Sequence, residues 1–326
     1  RSGVNSENNL IFNHSFCSMV KTTKKRQILF GFVKVFLLMV VALILYLQLK
    51  RSDFSGHAIQ LQHWWGIISA LLLMPLNWWL EYRKWQLTLR IAGISERIEV
   101  IRNSFFAGMV TGMITPNMLG NFVGRMFYFQ RRDRISVTVL TLLTNYTQFV
   151  STLLFGVISL LILKETPFGE LDASLLWLGG LLLIPLVLFV FYFDDLFRWV
   201  FPGRMRLSQR MRSTKGNFTF KWQILFLSLL RHVVFVLQLS AVLIAFGLEW
   251  EVNLFFWIWQ YYFWVTLAPS LFLGKVIIRD SLALWVFGFA GFSAASILPS
   301  SLSIWIINLL IPTIFALIMV RKPSEL

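Results

Sequence analysis

The sequence predicts an all-α, polytopic integral membrane protein of about eight transmembrane helices, with one or two re-entrant or broken helices related as a candidate inverted repeat. Three observations carry that expectation. The 326 residues are 57% hydrophobic and 14% charged, with a mean hydropathy of +0.70, whereas soluble chains carry roughly 25% charged residues. The apolar residues gather into long runs such as Ile28 to Leu49 and Leu302 to Val320. A proline, paired glycines and an arginine interrupt one apolar segment at Thr115 to Arg125, and a partial echo begins at Pro269.

The net charge of +15 falls mainly in short basic loops between apolar runs. There lysine and arginine set topology and meet anionic headgroups, so the membrane and not nucleic acid is the expected partner. Cys17 is the only cysteine, which rules out an intrachain disulfide. The four histidines lack metal-ligand spacing, and neither a metal nor another cofactor is expected. Residues 1–18 are polar and unpatterned and read as a disordered or non-native extension, with translation starting at Met19; residues 19–326 then form a single transmembrane domain.

Lys21, Lys24, Lys25 and Arg26 precede Ile28 to Leu49, a run long enough to cross a ~30 Å hydrocarbon layer at ~1.5 Å per residue. It is too long for a signal-peptide core and lacks a small-residue cleavage site, so it reads as a retained helix with a cytoplasmic N-terminus. A second span, Trp64 to Leu80, is bracketed by tryptophan pairs as interfacial belts and ends in Glu81-Tyr82-Arg83-Lys84-Trp85 on the cytoplasmic side. Asn103 to Ile114 is too short to cross. Basic clusters flank the region it shares with Phe122 to Phe129, which predicts a re-entrant hairpin with its tip near mid-membrane.

Ile135 to Leu163, Ser174 to Phe193 and Trp222 to Gly247 are the third to fifth spans. They are separated by an acidic outer loop, Lys164 to Asp172, and by a long basic cytoplasmic connection, Asp194 to Lys221. Asn253 to Leu273 either crosses, giving eight spans and two cytoplasmic termini, or re-enters from outside; Arg321-Lys322 favours crossing. Ser281 to Leu298 and Leu302 to Val320, joined at Pro299, are the last two spans.

Pro116-x-x-x-Gly120-Asn121-x-x-x-Arg125 in the first half is matched by Pro269-x-x-x-x-Gly274-Lys275-x-x-x-Arg279 in the second. Paired broken helices expose N-terminal amides at membrane depth, and the natural ligand of such ends is an anion. Thr115, Pro116, Gly120, Asn121, Gly124 and Arg125, with Pro269, Gly274, Lys275, Arg279 and Asp280, are therefore candidate binding residues. Their glycines would permit close backbone approach and their amides would cap a phosphate.

Arg231-His232 lies about nine residues inside the fifth span, roughly 13 Å deep, where an arginine costs ~2.5–3.5 kcal/mol on the lenient scale. The pair is expected to line a polar cavity and grip a phosphate; the alternative for Arg231 is snorkelling or a bond to a carbonyl. Glu81, three residues before Lys84, is either a further member of the site or half of a surface salt bridge. Asn77, Asn145, Gln148, Gln238 and Asn308 read as polar glue between helices. No catalytic constellation emerges, so a non-enzymatic role is expected.

Taken in order, Glu81-Tyr82-Arg83-Lys84-Trp85, the Thr115-Pro116 stretch, and Leu273-Gly274-Lys275 through Arg279-Asp280 resemble the flippase-like family named after the transmembrane region of lysylphosphatidylglycerol synthase. That family shows Glu-x-x-Arg-Trp at the end of an early span, matched by Glu81, Lys84 and Trp85. It then shows Thr-Pro-Gly-Arg-x-Gly-Glu, of which Thr115, Pro116 and Gly120 match. Asn117 and Met118 replace its Gly-Arg, Asn121 replaces its glutamate, and Asp280 stands where a Gly-rich turn usually leads to Arg-Glu.

The resemblance covers nearly the whole chain from about Met19. It implies the translocating half without the soluble aminoacyltransferase domain, in a prokaryotic plasma membrane. The expected function is that of a flippase or transporter that binds an anionic phospholipid or lipid-linked phosphate and moves it between leaflets. One alternative is an enzyme or subunit acting on lipid-linked intermediates of envelope or glycan synthesis, with Glu81 or Asp280 as its carboxylate. The other is a non-catalytic membrane assembly partner.

Overall fold

The computed structural model describes residues 61–115, 119–131, 133–167, 169–170, 172–200, 217–268 and 274–321, together with Met39. The chain divides into two units, Arg1–Lys50 and Arg51–Leu326, and every helix from Trp64 onward belongs to the second. The expected start at Met19, the run from Ile28 to Leu49 apart from Met39, and both Pro116 and Pro269 lie outside the described residues. The described residues form an all-α fold with one minimal antiparallel pairing, β1 (Glu165–Thr166) with β2 (Gly169–Glu170).

α1 (Trp64–Ile91) does not stop at Leu80 as expected. No helix breaker intervenes, and Glu81, Lys84 and Thr88, spaced i, i+3, i+7 on one face, are buried against neighbouring helices. It ends where Gly93 takes φ +62°. There the Ile94 amide reaches back to the Leu89 carbonyl at 3.0 Å in a Schellman cap.

α2 (Ile98–Ile114) and α3 (Gly120–Met126) fold back on each other as an antiparallel hairpin. Small residues make the contact: a Cβ on Gly120 would strike the Thr111 carbonyl, and one on Gly124 the Ala107 carbonyl and the Thr111 hydroxyl. The Gly120-x-x-x-Gly124 spacing puts both on one face, as in close packing of membrane helices. Thr111 Oγ1 donates to the Gly120 carbonyl at 2.6 Å and closes the hairpin.

α4 (Arg134–Leu163), α5 (Ala173–Val200) and α6 (Asn217–Ala245) follow. Among the described residues three stretches are long and apolar enough to cross a membrane: Arg134–Leu163, Phe218–Ala245 and Ala294–Met319. α6 lies antiparallel to α1, with Gln238 bonded to Ala70, Arg231 to Asn77 and Lys84 to Ser228. Gly66 lets these backbones approach, since a Cβ there would meet the Ala241 carbonyl.

α7 (Val252–Leu267) and α8 (Gly274–Phe289) form a second antiparallel hairpin, with Trp257 against Phe289, Tyr261 against Phe287 and Trp264 against Trp285. The final segment corrects the expected boundary. Its break falls at Gly291, φ +86°, and not at Pro299. α9 (Ala294–Trp305), a π-helical turn (Ile306–Leu310) and α10 (Ile311–Met319) then run on as one helical stretch. Pro299 falls within the first two turns of α9, and beside it Ser300 Oγ donates to the Ser296 carbonyl at 2.7 Å.

Two large apolar clusters flank the middle of this unit. One gathers Ala70, Leu239, Leu243, Ile258, Phe287 and Ile304, the other Trp85, Leu89, Phe105, Leu140, Leu143 and Ile224. Between them, along α1, α4 and α6, the buried residues turn polar: Asn77, Glu81 and Lys84, then Thr144, Thr147 and Ser151, then Ser228 and His232.

Candidate functional site

Glu81 is the centre of this polar layer, held facing α6 by the pairing of the two helices. Its Oε2 lies 2.8 Å from Lys84 Nζ and 2.9 Å from Arg231 Nη1, and its Oε1 lies 3.4 Å from Arg125 Nη2. The Lys84 and Arg125 side chains are each 1% exposed, and that of Arg231 22%. One carboxylate among three cations leaves two positive charges uncompensated within the four side chains. Burying such an excess is costly unless an anion balances it.

The surrounding hydrogen bonds fix each cation in place. Lys84 Nζ donates to the Thr144 carbonyl and to Ser228 Oγ, both at 3.2 Å, and Ser228 donates onward to Thr147 Oγ1 at 2.9 Å. Arg231 Nε donates to Asn77 Oδ1 at 2.7 Å. Asn77 Nδ2 in turn reaches Gln238 Oε1 at 3.3 Å and Asn308 Oδ1 at 3.5 Å. Asn308 sits in the π turn, a local geometry frequent at functional sites.

Arg125 takes a different kind of support. Its Cζ lies 4.4 Å from the centroid of the Trp85 ring, and Trp85 is itself anchored by a 3.1 Å bond from Nε1 to Ser104 Oγ. Arg125 Nε and Nη1 are buried with no hydrogen-bond partner among the described residues. The guanidinium therefore keeps donor capacity suited to an anionic oxygen. Cations around a lone carboxylate are the reverse of a metal site, and among the described residues no three His, Cys, Asp or Glu side chains cluster.

The structure brings Glu81, Arg125 and Arg231 together and adds Lys84, which sequence reasoning left at the surface. The surface-salt-bridge reading of Glu81 and Lys84 is corrected: α1 continues through both, and both are buried. His232 leaves the cluster, because successive helical residues point ~100° apart. It turns toward α4 and α7, stacked on Phe155 at 4.7 Å, 3.4 Å from Thr152 Oγ1 and edge-on to Tyr262.

The Thr115 hydroxyl accepts the Gly120 N–H, so that amide is used inside the hairpin and is not free to cap a phosphate. Gly120 and Gly124 serve the contact of α2 with α3, not the approach of a ligand. Asn121 Oδ1 is buried with no partner among the described residues. Arg279 and Asp280 form a separate group: Arg279 donates to the Tyr261 hydroxyl at 2.9 Å and the Ser301 carbonyl at 3.2 Å, and Asp280 accepts from Ser301 Oγ at 2.6 Å. These bonds tie α7, α8 and α9. The expected pairing of two broken segments around one anion gives way to one charged cluster reached by the first hairpin and a structural tie on the second. Gly274 and Lys275 open α8.

Lys84, Trp85 and Asn77 join the site although the sequence placed them outside it, Lys84 in a salt bridge with Glu81, Trp85 as a motif match and Asn77 as glue between helices. Glu81-x-x-Lys84 already put both charges on one face; that this face is covered by α6 was not visible locally.

The family described as lysylphosphatidylglycerol synthase TM region matches residues 31–316, a stretch that includes all four members of the Glu81 cluster. No curated protein and no solved structure matches the chain.

Proposed function

The chain belongs to the lysylphosphatidylglycerol synthase TM region family of membrane proteins, and from that premise we propose that it binds an anionic phospholipid or lipid-linked phosphate at the Glu81 cluster and carries it between leaflets. The observation that carries this reading is the excess of positive charge in the core. Arg231 occupies the midpoint of α6 (Asn217–Ala245), so the charge lies between the two membrane faces. In this reading Lys84, Arg125 and Arg231 share the phosphate, Arg125 donates from Nε and Nη1, and Glu81 keeps the three cations ordered between binding events. Asn77 and Trp85 orient the two guanidiniums. The role is transport without chemistry on the lipid.

The topology that goes with it has both hairpins re-entering, α2–α3 from the cytoplasmic face and α7–α8 from the outer face. Each arm of the second hairpin has 16 residues, about 24 Å of helix, short of a ~30 Å hydrocarbon layer. Among the described residues, five crossings and two opposed hairpins then stand in place of the seven crossings expected from Trp64 onward, an arrangement akin to the inverted repeats of transporters. Bonds at the chain's last helix support a cytoplasmic C-terminal side: the Arg321 amide donates to Asn103 Oδ1 at 2.7 Å, and the Tyr128 hydroxyl donates to the Arg321 carbonyl. The membrane proposed is the plasma membrane of a prokaryote.

The test is reconstitution into liposomes with fluorescent phosphatidylglycerol and dithionite quenching of the outer leaflet. Arg125→Gln and Arg231→Gln are each expected to slow translocation by roughly tenfold or more, as truncating one partner of a buried charge group costs ~2–5 kcal/mol. Wild-type rates in both variants, with unchanged melting, would remove the Glu81 cluster from the transport path.

A further inference from the structure

On the opposite side of α1 from the Glu81 cluster lies a cleft of about 290 Å³, open outward between α1 and α6. Trp79, Arg83, Gln86 and Arg90 line it from α1, and Gln223 and Phe226 from α6. Its two arginines are exposed, and no carboxylate is among its lining residues. Arg83 is steadied by Gln86, 3.4 Å from its Nη1, and by the Trp79 ring, 5.5 Å from its Cζ. Arg83 and Arg90 stand two turns apart on one helix, roughly 10 Å along the axis. That separation suits a phosphate with a second acceptor group close by.

In one direction apolar surface continues from this cleft along both helices; in the other it continues on α6 alone, at Trp222 and Phe218. Because α1 and α6 are antiparallel, the exposed series Trp79, Leu76, Leu72 on α1 and Phe226, Leu230, Val233, Leu237 on α6 both lead away from it toward the same end of the pair. On α6 the series runs eleven residues at helical spacing, roughly 16 Å, about half of a ~30 Å hydrocarbon layer and so one leaflet. The cleft's volume, near the low end of the ~300–1,000 Å³ range of small-ligand sites, holds a headgroup and not a whole lipid.

We propose that this cleft is a second lipid site, in which Arg83 and Arg90 hold the phosphate of an anionic glycerophospholipid while its acyl chains lie along the exposed faces of α1 and α6. Basic pockets between membrane helices have the chemistry to select anionic headgroups, and Gln86 and Gln223 add hydrogen-bonding groups for glycerol or ester oxygens. The site is separate from the Glu81 cluster and does not depend on the translocation reading. The two lie on opposite faces of one helix, Lys84 inward and Arg83 outward.

Native mass spectrometry of the full chain, released from micelles carrying equal phosphatidylglycerol and phosphatidylcholine, tests the proposal. Wild type is expected to retain phosphatidylglycerol preferentially, and Arg83→Ala with Arg90→Ala to lose roughly tenfold or more of that retention, at about 1 kcal/mol per basic residue. The Arg83→Lys, Arg90→Lys pair should keep most of it, which guards against simple misfolding. The alanine pair repeated in an Arg125→Gln background should show the same loss. Loss confined to the wild-type background would assign the retained lipid to the buried cluster and overturn the proposal. Equal retention of both lipids, unchanged retention in the alanine pair, or full displacement by soluble glycerol phosphate would overturn it as well.

Discussion

Neutralising Glu81 would leave Lys84 and Arg125 buried beside the partly exposed Arg231 with no countercharge inside the cluster. Glu81→Gln is therefore expected to cost about 3–5 kcal/mol, the penalty of stranding buried charge. Arg231→Gln, which leaves the carboxylate between two cations and comes from a partly exposed position, should cost less. Thermal unfolding in detergent ranks the two; melting of Glu81→Gln at or above that of Arg231→Gln would show that the carboxylate is not the group holding the cations. The same residues mark how far the sequence could be read. Arg231 announced itself by its cost inside an apolar run, and Glu81 and Lys84 by their shared face. Their burial was illegible, because a Glu-x-x-Lys pair looks alike on a wet helix and on one covered by α6. Arg125 was legible as a candidate, yet its stacking on Trp85 joins residues far apart in sequence.

The hairpin of α2 with α3 depends on two glycines whose hydrogens face backbone. Gly124→Leu should force the arms apart at a cost of about 1–3 kcal/mol or more from overpacking. Gly179→Ala, in α5 where no atom lies within 4 Å of the added Cβ, should be neutral or stabilise by up to ~1 kcal/mol through helix propensity. Comparing their melting temperatures checks the pair, and equal effects would mean that α2 and α3 do not need this approach. Elements of this kind were readable where a local signal set them: Pro116 and the flanking charges announced a hairpin, and α4 matches its apolar run almost to the residue. Ends set by capping were misread. α1 runs to Gly93, and the last break sits at Gly291 instead of Pro299, because a glycine in the left-handed conformation stops a helix more firmly than a proline near its start.

For the whole molecule the test is sidedness. With Cys17 replaced, Ser95→Cys and Gln130→Cys, both exposed at the base of the first hairpin, should react with a membrane-impermeant maleimide from the same face. Labelling from opposite faces would make α2–α3 a crossing and not a re-entrant element. The membrane class was plain from composition alone, and the order of the apolar runs from Trp64 onward survived. Which runs cross and which turn back was beyond local reading, since a 16-residue apolar helix fits either path and only its antiparallel partner decides. One feature of the last helix bears on this larger order. A π turn holds one residue more than an α turn, so Ile306–Leu310 acts as a phase shift of roughly 100° between the halves it joins. The half before it is registered to Arg279 and Asp280 through Ser301, and the half after it leads to the hairpin base through Arg321. The two hairpins thus address the same helix in independent registers, and losing a single residue between Ile306 and Leu310 would put one of them out of phase while leaving every side chain that either uses intact.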